Sequence, residues 1–323
     1  MATKAKAKYA GPSVEEKLCE RMIQLIESGV NPWRKEWKGQ KFSRHTNLVT
    51  GAAYHGGNPM MLEWQAALAG YNSPLWAGIG QAKQKKWFPK KGSQGCYVLR
   101  PQLNCYDKKD KEGNVEKDPN GDPLKVAWVS YKTSCVFNVE ALQGEGLQEA
   151  IDKYLDDGVE MPPEKERIEI AEQALNAYGK REEIPFRFAG GRAYYEIVED
   201  RITLPEFEKF VSAEAFYATL AHECIHSTGN EKRLKRPFGM QCGSEESKMR
   251  YAREELVAEM GAFILCNRME ISSNTENHAA YLEGWLKVLK QGPKALFKVI
   301  SDATKAANLI LPEISENVSE SDS

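Results

Sequence analysis

Nowhere does this chain offer the roughly 18 consecutive apolar residues that a membrane-spanning helix needs, so nothing in it reads as a span. The basic N-terminus lacks the apolar core of a secretory signal. Cysteine is sparse and scattered: seven residues at 19, 96, 105, 135, 224, 242 and 266, with no C-x-x-C pair. That pattern excludes a disulfide framework and a cysteine zinc site, and points to free thiols in a reducing cytoplasm. There is no internal repeat. Hydrophobic residues make up 41% of 323 positions, enough to build real cores, and the length suggests two domains.

Net charge is also small, -2, but this hides a division along the chain. Residues 1–100 carry 16 basic and 6 acidic side chains, whereas residues 101–323 carry 28 and 40. A net of +10 followed by -12 predicts that the first half meets a polyanion and the second does not.

His222-Glu223-Cys224-Ile225-His226 spells H-E-x-x-H within 213–228, a stretch of helical spacing free of glycine and proline. Histidines four apart on a helix share a face, so both imidazoles can bind one metal ion, and Glu223 between them can accept a proton from water there. The pattern is common by chance, so its setting matters. Thr219, Leu220, Ala221, Cys224 and Ile225 are small or apolar, which buries the helix and leaves three ionisable residues in need of a partner. Cys224 itself reads as packing. A second helix, 254–265, interrupts its apolar residues with acids. Glu255 is read as the third ligand, with Glu254 as its competitor. Glu259, one turn from Glu255, is placed to orient a ligating histidine. Two histidines and one glutamate leave a position open for water, the arrangement of catalytic zinc, although Mn2+ and Co2+ also suit such donors. An oxyanion stabiliser is also needed, and Tyr217, His278 and Tyr281 are candidates.

Spacing predicts helices over 14–28, 59–69, 78–86, 167–178, 279–289 and 293–309, and strands over 95–100, 127–136, 193–198 and 201–204. Between 106 and 125 the sequence is charged and turn-rich and reads as an exposed hairpin loop. Residues 148–165 read as a loose acidic stretch and 230–247 as a polar loop. The expected division is a flexible basic arm (1–13), a DNA-binding domain (14–145), a metal-binding domain (146–310) and a disordered acidic tail (311–323).

In the first half, positive charge alternates with aromatics. The dense blocks contain Trp33, Arg34, Lys35, Trp37 and Lys38, then Lys83, Lys85, Lys86, Trp87, Lys90 and Lys91, with Arg44 between them. Single-stranded nucleic acid is gripped by cationic grooves with aromatic platforms for unstacked bases, and no basic recognition helix for duplex is evident. Single-stranded DNA is therefore the expected partner.

These segments together resemble the ArdC-type antirestriction proteins. In the first half the likeness rests on Asn31-Pro32-Trp33, Thr50-Gly51 with Tyr54, Gly57 and Asn58, Ser73-Pro74-Leu75-Trp76, Lys91-Gly92-Ser93, and Tyr131-Lys132 with Val136-Phe137-Asn138-Val139. In the second it rests on the run from Tyr217 through His222 and His226 to Gly229, on Arg233-Leu234, on Tyr251 through Glu259, and on Ala280-Tyr281 with Trp285. The resemblance implies an α+β protein with an N-terminal single-stranded-DNA-binding domain and a C-terminal, mainly helical, zincin-like metallopeptidase domain. It also implies carriage by a plasmid or phage, protection of incoming DNA from restriction, and host restriction-modification proteins as targets. The competing expectation is a non-catalytic DNA-coating protein with a structural metal, or a primase-associated accessory protein. A metal-dependent nuclease fits poorly, since such sites favour clustered aspartates and Mg2+.

Overall fold

The computed structural model describes residues 13–27, 44–110, 112–156, 164–273 and 282–312. The expectations for residues 1–12, for Trp33, Arg34, Lys35, Trp37 and Lys38, for His278 and Tyr281, and for the tail beyond 312 lie outside them.

The architecture is α+β. Helix α1 (Val14–Glu27) precedes a mixed sheet built from β1 (Thr46–Asn47), β2 (Leu75–Gly78), β4 (Cys96–Asp107) and β5 (Lys125–Asn138), in the order β1-β2-β5-β4. Between these strands run α2 (Asn58–Ala69), α3 (Ile79–Gln84) and the short strand β3 (Phe88–Pro89), which pairs with β6 (Leu142–Gln143). β4 and β5 form a long antiparallel hairpin, from Cys96 opposite Val136 to Asp107 opposite Lys125. The sequence suggests a strand ending at Arg100, before Pro101, but the ladder continues. β4 is the sheet's edge, where a proline is tolerated. The expected loop beyond it folds into two small turns, closed by bridges between Lys109 and Val115 and between Lys117 and Pro123. The first turn of α2 is fastened to the edge of β4 by Asn58. Its Nδ2 donates to Leu99 O at 2.8 Å and its Oδ1 accepts from Leu99 N at 2.7 Å.

Helix α4 (Leu147–Asp156) corrects the reading of 148–165 as loose. Leu147, Ala150, Ile151 and Tyr154 recur at helical spacing, a stripe hidden by the surrounding acids. The second domain follows with α5 (Glu164–Arg181) and a small sheet of β7 (Phe186–Phe188), β8 (Tyr194–Glu196) and β9 (Arg201–Leu204), ordered β7-β9-β8. Next come α6 (Ala213–Thr228), α7 (Glu245–Met269), α8 (Leu282–Leu289) and α9 (Pro293–Ile310). Ser212 caps α6 by accepting from Ala215 N at 3.1 Å, and Ser244 caps α7, so the polar loop ends a turn earlier than its composition suggests.

Leu18, Met22 and Ile26, spaced by four, bury the inner stripe of α1. That stripe lies against α8 and α9 as well as α2, and Cys19 Sγ donates to Leu289 O at 3.4 Å. One apolar core therefore runs through both domains.

Helices α6 and α7 meet at Gly261. A methyl group there would lie 2.7–2.9 Å from the side-chain carbons of Ile225. Helix propensity alone would favour Gly261→Ala by about 1 kcal/mol. The clash is expected to reverse that sign and cost about 1–3 kcal/mol in urea unfolding, with Ile225→Val recovering part of it. A stabilised Gly261→Ala protein would show that the two helices are free to separate.

Candidate metal centre

Helix α6 is almost wholly buried, with Leu220, Ala221, Cys224 and Ile225 in its core-facing surface. Three of its polar residues, His222, Glu223 and His226, line one cavity, and the two histidines face the carboxylates of α7. His222 Nε2 and His226 Nε2 stand 3.1 Å apart. Glu255 of α7 lies across from both: Oε2 is 3.7 Å from His222 Nε2 and Oε1 is 3.7 Å from His226 Nε2. One ligand atom from each of His222, His226 and Glu255 falls within 4.8 Å of the others.

The outer nitrogens of both rings face carboxylates. His226 Nδ1 lies 3.3 Å from Glu254 Oε1, and His222 Nδ1 lies 3.4 Å from Glu259 Oε1 without the geometry of a hydrogen bond. Glu254 holds the His226 ring proton on Nδ1, and the negative charge of Glu259 favours the same tautomer of His222, which leaves the two Nε2 lone pairs aimed at each other and at Glu255. Such a convergence is repulsive unless positive charge enters it. The electrostatics of the site express the same demand. Burial disfavours protonated His222, but Glu259, Glu255 and Glu223 outweigh it and push its pKa up to about 10. His226 is raised against its burial by Glu255 and Glu254. Glu255 is driven down to about 2, against its own burial, by the two imidazoles and by a hydrogen bond with Tyr251. Two imidazole nitrogens and one carboxylate fit a divalent cation, which satisfies both lone pairs and the anion at once.

Glu254 has other duties. Arg236 grips it with two bonds, Nη2 donating to Oε1 at 2.6 Å and Nε to Oε2 at 2.9 Å. The same guanidinium donates to Thr228 Oγ1 at 2.7 Å and to Ile225 O at 2.8 Å, tying the end of α6 to α7. Arg236, only 8% exposed, was not singled out by sequence reading, because nothing in the polar loop marks one arginine as buried.

Glu223 is buried, and burial chiefly raises its carboxyl above the ordinary range. It borders a cavity of about 250 Å³ shared with His222, His226, Glu255 and Tyr251. Tyr194, Tyr195 and Ile197 form another wall. Tyr195 is fixed there by a hydrogen bond to Asp200 at 2.6 Å and by one from Asn230 at 2.7 Å. Tyr217, an expected oxyanion candidate, is not part of this cavity. Its ring packs against Phe216 and Phe207. Tyr251 lines the cavity and went unnamed as a site residue, because a tyrosine one turn before Glu255 carries no signal of its own. Cys224 is a packing residue, its thiol pushed far up by burial.

The expected DNA-binding residues scatter. Lys83, Lys85, Lys86, Lys90 and Lys91 are exposed, although Lys90 Nζ donates to Glu140 O at 2.9 Å. Arg44 pairs with Glu270 at 2.6 Å. Trp87 corrects the expectation of a stacking platform. It is 4% exposed and its Nε1 donates to Glu145 O at 3.1 Å, because the turn after α3 folds the indole inward.

Comparison with known proteins separates the chain into two matched regions. Residues 12–137 match the N-terminal domain of anti-restriction factor ArdC, and residues 169–302 match a zincin-like metallopeptidase domain. The metal-free crystal structure of the antirestriction ArdC protein from plasmid R388 superposes with a TM-score of 0.62 at 29% identity, covering 93% of this chain and 97% of that one. The chain belongs to the ArdC-type antirestriction family. Its two domains are therefore an ArdC N-terminal domain and a zincin-like domain. The Mn(II)-bound R388 structure matches with a TM-score of 0.59, in keeping with a divalent metal as cofactor of this ArdC-type fold. An uncharacterised Sinorhizobium fredii protein, y4eC, is 30% identical over 299 residues, with 91% of this chain and 90% of that protein covered. Two Escherichia coli DNA primases TraC are 32% and 31% identical over 92% of this chain, which spans only 20% and 27% of their lengths. Among the described residues no helix is long and apolar enough to cross a membrane.

Proposed function

We propose that this ArdC-type protein binds single-stranded DNA through its first domain and hydrolyses a peptide bond in its second, protecting incoming DNA of a mobile element from host restriction in the cytoplasm. The observation that carries the peptidase half is the convergence of His222, His226 and Glu255 beside buried Glu223 in one open cavity. His222, His226 and Glu255 would hold the cation, zinc by donor type, with Glu259 behind His222 and the Arg236–Glu254 pair behind His226. When bound, the cation would supply Lewis acidity for a scissile carbonyl. Glu223, its carboxyl raised by burial, takes a proton from the attacking water and returns it to the departing amine nitrogen. β8 is the outer strand of its sheet and borders the cavity, so an extended peptide can pair along it. Host restriction subunits are the proposed substrates.

Glu223→Gln tests this. It keeps the ligands and removes the base, so metal content should be unchanged while cleavage of restriction subunits, followed by mass spectrometry in the presence of single-stranded DNA, falls about 100-fold or more. If the variant still protects DNA in cells, hydrolysis is not the operative function. The alternative, a DNA-coating protein whose metal fixes the fold, then stands. That alternative draws on the position of the chain as a part of longer primases among its relatives.

A further inference from the structure

The sequence placed base stacking on Trp87, and the structure buries that ring, so the first domain needs another place to receive a base. A cleft of about 500 Å³ opens directly over it. Its floor is apolar: Trp87, with half-buried Leu48, Val49 and Ala150. Half-buried Tyr154 of α4 forms a side wall, and Lys85 and Lys153 stand exposed on the rim. Glu145 also lines the cleft, and its backbone carbonyl is occupied by the Trp87 indole.

Two further observations single out this cleft. Lys85 and Lys153 both line the cleft, with exposed Lys83 and Lys86 beside Lys85 in sequence, against the single carboxylate of Glu145 in its lining. Lys86 also holds a left-handed backbone, φ 61°, where glycine would be cheaper. The neighbouring segment is pressed close beneath it: a methyl group on Gly144 would lie 2.5 Å from Lys86 O and 2.9 Å from the Trp87 ring. The turn that presents Lys85 and Lys86 is therefore held in a fixed shape.

We infer that this cleft takes one unstacked base of a DNA single strand, with the base against Tyr154 and the apolar floor and its flanking phosphates on Lys85 and Lys153. An apolar slot beside an aromatic ring with cations at both lips suits a base and its backbone. It does not suit a duplex, whose bases are stacked and unavailable. The inference rests on the single-stranded-DNA reading above and names its site. Lys153 and Tyr154 lie past residue 145, so α4 would extend the DNA surface beyond the boundary drawn from composition.

The test uses the full-length protein and a fluorescein-labelled thymidine oligonucleotide, with anisotropy read over a range of salt. Tyr154→Ala should weaken binding about 5- to 150-fold, the range of one lost base stack, and leave the salt slope unchanged. Lys153→Ala and Lys85→Ala should each reduce the slope by about 0.7. Tyr154→Leu, which keeps the apolar packing, should weaken binding as Tyr154→Ala does. Photo-crosslinking of the unmodified protein to 5-iodouracil DNA should label a peptide containing Tyr154. If the unmodified protein binds but the variants match it and the crosslink maps elsewhere, the cleft assignment falls and the DNA reading survives. If the unmodified protein does not bind the oligonucleotide at all, both fall.

Discussion

Replacing His222 with alanine is expected to abolish stoichiometric binding of a divalent cation. Only His226 Nε2 and the Glu255 carboxylate would remain of the donor set, with Glu223 and Glu259 close by and one balancing imidazole lost. Because the site forms only in the folded chain, the metal also stabilises the fold. A free cation at about 100 times its Kd should add about 2.7 kcal/mol to the unfolding free energy of the unmodified protein and nothing to the variant's. Elemental analysis of purified protein, together with chemical unfolding with and without added zinc, reads both effects. Undiminished metal in His222→Ala would refute the assignment of this site.

Arg236→Ala should cost about as much stability with no ligand removed. Glu254 is buried and held below the ordinary carboxylate range by Arg236 and His226, against the upward pull of its own burial. Deleting the guanidinium leaves an anion with one partner, and losses of about 3–5 kcal/mol follow when a buried ion pair is broken from one side. Arg236→Lys should recover little, since one ammonium cannot reproduce the two parallel bonds to Glu254. The double variant Arg236→Ala with Glu254→Gln should be more stable than Arg236→Ala alone, because the stranded charge is gone. Simple additivity of the two changes in urea unfolding would show that the pair is not coupled.

What could be read from the sequence depended on how local its cause was. The stripe of Leu18, Met22 and Ile26 and the i, i+4 histidines of α6 are properties of one helix, and both appear as written. The choice between Glu254 and Glu255 is different. Adjacent residues on a helix point about 100° apart, so the answer depends on the rotation of α7 against α6. That rotation depends on contacts between the helices, such as the close approach of Gly261 to Ile225 and the bonds of Arg236 to Glu254, which no spacing within α7 reveals. Arg236 was hidden for the same reason, since its value lies in reaching Glu254 across a loop. Trp87 was misjudged because its neighbours are charged. The fold turns one residue of that run inward and leaves the lysines outside. Helix α4 was obscured by composition, its apolar stripe diluted with acids.

The placement of α1 bears on what can be inherited or transplanted. Its inner stripe is shared with α8 and α9, near the other end of the chain. A cut near residue 145 would take the first helix away from two of its three supports and bare apolar surface on both pieces. The cassette that larger proteins carry is accordingly the whole of it. The TraC primases align with it across 304 and 312 residues, both domains together, as though exported in one piece. An engineer moving the first domain into another protein would need to bring α8 and α9 along, or repaint Leu18, Met22 and Ile26 as a polar surface.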